Sequence, residues 1–275
     1  LARSKEVGAV IIGMTPFSLY ILTYYVKKYF PNAKLFIDLS DPFIENNGTN
    51  YPTIYEKKFV KLYETYFLKH VDHVIVLNGR IKSLYLRTYR NILTDQNVHV
   101  VEQGYSSNTS GAYDETLIQG RIRIVYAGKF ISGLREPFEF YGALKSLEND
   151  ISLDLYGNIK EEFLPSNFDI GYKYWGPVVP EVIQEAYQNS DLILMIDNAF
   201  GYQVPGKTLE LAALKKPVLF LYDNADSPTL DYVKDIPSFL IVKNTQSQIR
   251  QSLIDFIIHS FPTRRSSDLS EERRV

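Results

Sequence analysis

Residues 121–130 read RIRIVYAGKF. The six residues 122–127 are mostly β-branched, aromatic or small, which predicts a strand that stops at Gly128. A cation, Lys129, follows at once, and Arg135 comes six residues later. The same punctuation recurs downstream, in LDLYGN at 153–158, YKYWGP at 172–177 and LILMIDN at 192–198. Such runs are nearly continuous in apolar character, not alternating, and that is the signature of parallel strands covered on both faces.

Working outward, the alternation of strand and helix extends along the chain. Strands are predicted at 7–12, 35–39, 74–77 and 98–101, separated by amphipathic helices at 17–30, 55–69 and 81–89. After a break come strands at 122–127, 153–156, 172–175, 192–196, 218–221 and 240–242. Their helices are expected at 137–146, 181–189, 207–214 and 245–258. The break, GYSSNTSGAYDETLIQG at 104–120, is rich in Gly, Ser, Thr and Asn and reads as a linker. The expectation is an α/β protein of two Rossmann-like, doubly wound domains, 1–110 and 111–259, with ligand in the cleft between them. Residues 260–275 (SFPTRRSSDLSEERRV) have no apolar periodicity and resemble a translated sequencing adapter, so the chain is read as a fragment with a non-native-looking tail.

Composition narrows the function classes. Of 275 residues, 45% are hydrophobic and 23% charged, which excludes a disordered chain. There is no Cys, hence neither a disulfide framework nor a thiolate metal site. The four histidines are scattered apart from one pair at a strand edge, and no metal is expected. Net charge is −2 overall, with +4 in 1–110, −7 in 111–259 and +1 in the tail. That imbalance is too weak to argue for nucleic acid.

In open parallel sheets, ligands bind beyond the carboxyl ends of the strands. There Gly128 permits close backbone approach, and Lys129 with Arg135 supplies two cations. Gly157 ends the next strand. Pro205-Gly206-Lys207 opens a helix whose free N–H groups and dipole favour an anion, and Glu210 in its first turn can accept from a ribose diol. A nucleoside diphosphate fits this set. Each residue also has a plain structural reading: solvated loop charges for Lys129 and Arg135, a dipole partner for Glu210, a turn for Gly157. It is the convergence of three strand ends that favours a ligand.

In order, YAGKF with Arg135, LDLYGN, YWGPV, AYQNSDLIL and VPGKTLELAALKKPVL resemble the C-terminal domain of retaining GT-B glycosyltransferases of family 4, across about residues 120–259. The resemblance implies that Lys129 and Arg135 grip the donor diphosphate and stabilise it as it leaves. It implies donor-nucleotide contacts for Gly128, Gly157, Pro177, Val178, Pro205, Gly206 and Lys207, with Glu210 on the ribose. The family's first glutamate of a pair falls at Tyr202, and members with Val-Pro-x-Lys often lack it, which gives Lys207 a phosphate role. VIIGMTPFSLYIL, IDLSDPF, HVIVLNG and VVEQGY look like the same family's acceptor domain, incomplete at its start, and make Gly13, Thr15 and Asp41 acceptor-side candidates.

The implied activity is transfer of a sugar, with retention and without metal or other cofactor, from a nucleoside-diphosphate sugar to a glycan, lipid-linked or other acceptor. A second reading, motivated by Tyr202, is a catalytically degenerate protein that binds nucleotide or glycan. A third, an epimerase of the same architecture, lacks a convincing catalytic His or carboxylate. The expected location is cytoplasmic. Residues 51–70 (YPTIYEKKFVKLYETYFLKH) allow peripheral contact with the inner face of a membrane; a solvated face over a Tyr/Phe/Leu core face is the reading preferred from sequence. Polysaccharide biosynthesis is the default setting.

Overall fold

A computed structural model describes residues 7–44, 53–102, 104, 121–145, 147, 150–165 and 171–260. Almost all of the expected linker and tail lies outside the described residues. The chain divides into two compact units, one built from residues up to Gly104 plus Gly201–Val204, the other from the remainder.

In the first unit, β1 (Ala9–Gly13), β2 (Lys34–Leu39), β3 (His73–Val76) and β4 (Val98–Val100) form a parallel sheet in that order. Between them run α1 (Ile21–Tyr29), α2 (Ile54–Leu68) and α3 (Gly79–Thr88). Leu35, Ile37 and Leu39 of β2 are fully buried, whereas Phe36 and Asp38 are half-buried. This sheet is therefore sealed on one face and half-covered on the other. Local sequence sets the helix starts: Thr53 and Glu56 close a capping box on α2, and Asn78 caps α3 through the Ile81 N–H.

The core of this unit contains a carboxyl group. Glu64 of α2 is fully buried and accepts hydrogen bonds from Tyr20 (2.6 Å), Tyr85 (2.8 Å) and Tyr89. Burial pushes its carboxyl pKa up, while the three phenols and the Ile44 N–H pull it back. Tyr85 in turn accepts from the Phe43 N–H at 3.2 Å, so the cluster anchors the loop that follows β2. Glu64→Gln puts an amide NH2 where hydroxyls need an acceptor. We expect it to cost about 1–3 kcal/mol, read as a drop of about 2–4 °C in Tm per kcal/mol in a thermal melt. An unchanged melt would contradict the role given to the carboxylate.

The second unit holds β5 (Ile122–Ala127), β6 (Ile151–Tyr156), β7 (Tyr172–Gly176), β8 (Leu192–Ile196), β9 (Val218–Tyr222) and β10 (Phe239–Lys243). Its helices are α4 (Phe138–Leu144), α5 (Pro180–Gln188), α6 (Lys207–Ala213), α7 (Pro228–Val233) and α8 (Gln246–Ser260). The all-parallel order is β10-β9-β8-β5-β6-β7. Strand order thus runs outward in both directions from the β5/β8 pair, making that pair the topological switch point where doubly wound sheets bind ligands. Side chains alternate between two cores. Ile122, Ile124 and Tyr126 face one, with Leu194, Ile196 and Ile249; Val125 and Ala127 face the other, with Ile193, Met195 and Leu211. Filling both faces is why β5 and β8 read as unbroken apolar runs.

Candidate functional site

The carboxyl ends of β5, β6 and β8 meet at the switch point. The N–H of Gly128 donates to Tyr156 O at 3.0 Å, and a Cβ on Gly157 (φ +113°) would sit 2.2 Å from Gly128 O. Only glycine fits at 157, because the obstacle is backbone. Tyr174 Oη donates to Gly157 O at 3.0 Å, which holds the turn from the β7 side.

Arg135 is fixed from two directions. Its N–H donates to Ile131 O (2.8 Å), and its O accepts from the Ile131 N–H (2.9 Å), closing a tight loop around Gly133. Its guanidinium donates to Asn198 Oδ1 at 2.7 Å, one residue beyond Asp197 at the end of β8. Its Nε is buried without a partner among the described residues. Asp197 is buried as well, accepting from Ser227 and from Thr229 at 2.7 Å, which ties the end of β8 to the start of α7. Burial pushes the Asp197 carboxyl up; those hydroxyls, the Asn198 N–H and the Arg135 charge oppose it.

Lys207, the first residue of α6, reaches under this loop. Its ammonium donates to Ala127 O at 3.1 Å, lies 4.5 Å from the centroid of the Tyr126 ring, and would be 3.5 Å from a Cβ at Gly128. Desolvation and the neighbouring Arg135 charge push it down to about 7, with Glu210 pulling it back. Tyr126 Oη donates to Lys129 O at 3.0 Å, and burial pushes its phenol up to about 12 against the pull of Arg135.

The structure therefore brings Gly128, Gly157, Arg135, Lys207 and Glu210 together at the carboxyl ends of the strands. The Lys129 side chain is exposed beside it. Pro177 is exposed after β7, and Val178 packs on the second core. Pro205 and Gly206 precede α6 as expected, but one of the anticipated free donors is taken: the Thr208 N–H and hydroxyl both donate to Pro205 O, at 2.9 and 2.6 Å. Trp175 stacks on Tyr156 with its indole N–H on Asp154 at 2.9 Å, a packing role.

The acceptor-side candidates lie in the first unit. Gly13 ends β1 in register with Asp38, Thr15 is exposed, and Asp41 accepts a hydrogen bond from Gln203. Gln203 belongs to this unit together with Tyr202, whose carbonyl accepts from Asn78 at 2.9 Å and whose ring packs on the core of α3 and its neighbours. Sequence reasoning marked Asp197 and Asn198 as a strand end without giving them a role, and passed over Tyr126 and also Asp38, whose Oδ1 is buried with no partner among the described residues. The residues 197–198 ended a strand in plain view; what the sequence could not show was that Arg135 folds back onto them.

Two parallel-sheet units of this kind are the fold of GT-B glycosyltransferases, and solved structures bear the likeness out. The chain superposes on a glycosyltransferase from Rickettsia africae ESF-5 with a TM-score of 0.61 and 19% identity, covering 94% of this chain and 68% of that one. HepE from Anabaena, solved with UDP and glucose, gives 0.66 and 10%, covering 92% and 68%. Sucrose-phosphate synthase from Thermosynechococcus elongatus gives 0.62 and 14%, covering 94% and 66%. The chain spans about two-thirds of the length of these proteins. No family model matches the sequence, and no curated protein matches it.

Proposed function

We propose that the protein is a retaining glycosyltransferase of family 4 that takes its sugar from a nucleoside-diphosphate donor. The observation that carries this reading is the switch point, where two close-packed glycine turns and two basic side chains, Arg135 and Lys207, meet at the strand ends. Lys129 at the rim adds a third. Fixed positive charge aimed at a diphosphate is what a departing nucleotide requires, and it serves without metal or cofactor, the donor itself being the co-substrate. Glu210 accepts from the ribose, and Pro177 and Val178 border the base. No residue is assigned as nucleophile or general base; attack comes from the face that the sugar's leaving group vacates. Gly13, Thr15 and Asp41 contact the acceptor, a glycan or lipid-linked sugar of polysaccharide synthesis. HepE carries UDP in a fold of the same kind, which supports a uridine donor.

Calorimetric titration of the whole chain with UDP, GDP and ADP tests the reading, with Lys129→Ala and Glu210→Ala alongside. Saturable binding of one nucleotide, weakened in both variants, is expected. Absence of binding by the folded protein would remove the donor site. Binding without turnover of any nucleotide sugar would favour the degenerate alternative, for which Tyr202, committed to the first unit in place of a sugar-contacting carboxylate, is the motivating residue.

A further inference from the structure

Two histidines 26 residues apart in sequence meet in the sheet of the first unit. His73 opens β3, and His99 stands in the middle of β4. The register pairs Val74 with Val98 and Ile75 with His99. Side chains alternate along a strand, so Val74, Val76 and Val98 enter the buried core while His73 and His99 both take the half-covered face. There His73 Nδ1 and His99 Nε2 lie 3.0 Å apart.

The sheet holds one ring and leaves the other accessible. His73 stacks on Phe36, its direct neighbour in register on β2, at 4.8 Å between centroids and 21° between planes. His99 is exposed, 5.1 Å from the His73 ring with the planes at 47°. Neither ring bonds to another polar group among the described residues. One nitrogen therefore donates and the other accepts, with a single proton between them. That bond is exposed to water, so giving it up costs little.

A metal ion can take the proton's place. A neutral imidazole nitrogen is a ligand for divalent zinc, nickel and copper. With metal–nitrogen bonds of about 2.0–2.1 Å, nitrogens 3.0 Å apart subtend about 91–97° at the ion. A tetrahedral ion needs about 109° and would hold them about 3.3–3.4 Å apart. The near-right angle is that of neighbouring ligands in a square-planar or tetragonal field, the geometry of Cu(II) and Ni(II). No group of three or more His, Cys, Asp or Glu suited to a metal occurs among the described residues, so water completes the coordination.

We infer that His73 and His99 form a two-imidazole site for a divalent transition metal of tetragonal preference, Cu(II) above all. Binding moves the shared proton to the remote nitrogen of its own ring, so both imidazoles stay neutral and no proton is lost. The site belongs to the first unit alone and does not depend on the donor site; the proposed sugar transfer does not run through it. Sequence spacing conceals it, because strand register and not a short motif brings the rings together.

Titration of the whole chain with Cu(II) at about pH 7.5, followed by calorimetry and electron paramagnetic resonance, tests it. One equivalent is expected to bind, with the spectrum of two equatorial imidazole nitrogens. His73→Gln and His99→Gln should each weaken binding at least about tenfold, because either loss breaks the chelate. His70→Gln and His259→Gln should leave the affinity unchanged. Zn(II) should bind more weakly than Cu(II), and lowering the pH to about 5.5 should release the metal, since protons compete for the same nitrogens. Circular dichroism of the two site variants should match the wild type, because both rings lie outside the core. Absence of binding, binding that survives both site variants, or a spectrum with a single imidazole overturns the proposal. So does binding that requires His70 or His259.

Discussion

Arg135→Ala is expected to lower turnover of the nucleotide-sugar donor by about 10²–10³-fold, the loss seen when one preorganised donor to a developing anion is removed. The reason is geometric. The Ile131–Arg135 backbone pair closes the loop, the Ala199 N–H donates to Leu134 O at 2.8 Å, and Asn198 accepts from the guanidinium at 2.7 Å. The charge is thus held at the strand ends before any ligand arrives, and its reorganisation cost is already met in folding. The effect should fall on kcat more than on KM, because negative charge grows on the diphosphate as the glycosidic bond breaks. Arg135→Lys keeps charge but loses the planar fork that spans Asn198 and ligand, and should recover only part of the rate. The thermal melt should barely move, since Arg135 is partly exposed. Turnover unchanged in Arg135→Ala would refute the diphosphate role; turnover lost together with the fold would assign Arg135 to structure instead.

The elements that could be read from sequence are those whose burial is set by nearest neighbours. Strands β5, β8 and β9 are apolar on both faces, so their composition alone gives position and parallel sense. The glycine turns after β5 and β6 were legible because Gly stands next to a strand whose end is marked by polarity. Asn198 was not legible, since its value lies in a contact with Arg135, 63 residues away in sequence. Helix α7 was missed because six residues beginning Pro-Thr carry no amphipathic period; its start is fixed by the Ser227 cap and by Asp197. Position 202 was readable as a departure from the family pattern but not as a core-packing residue of the other unit. In α2, the sequence showed a Tyr- and Lys-rich helix, yet periodicity cannot say which of two opposite apolar stripes is buried. Glu64 falls on the buried one, against its type, because Tyr20 ahead of α1 and Tyr85 and Tyr89 at the end of α3 reach it.

Donor affinity should weaken as pH rises above 7, and Lys207 is the cause. Burial and the Arg135 charge hold its ammonium down at about 7, where an unfolded lysine titrates near the ordinary value of 10.5. Between those values the unfolded chain binds more protons than the folded one, so Lys207 makes stability rise with pH across that window. A bound diphosphate reverses the local field: its negative charge beside Ala127 O and Gly128 favours the ammonium and raises the folded value. Binding above pH 7 therefore takes up a proton, and Kd should grow by up to tenfold per pH unit, so about 10–100-fold between pH 7 and pH 9. The sugar diphosphate has no proton of its own to exchange there, which isolates the lysine. Calorimetry in two buffers of different ionisation enthalpy reads the proton directly, as an uptake rising from near zero below pH 6 toward one at pH 8–9. Lys207→Met should bind about tenfold more weakly at pH 7, with an affinity flat in pH and no proton uptake. A flat profile in the wild type would mean that the ammonium is already charged in the free protein, and that Lys207 grips the phosphates as an ordinary cation.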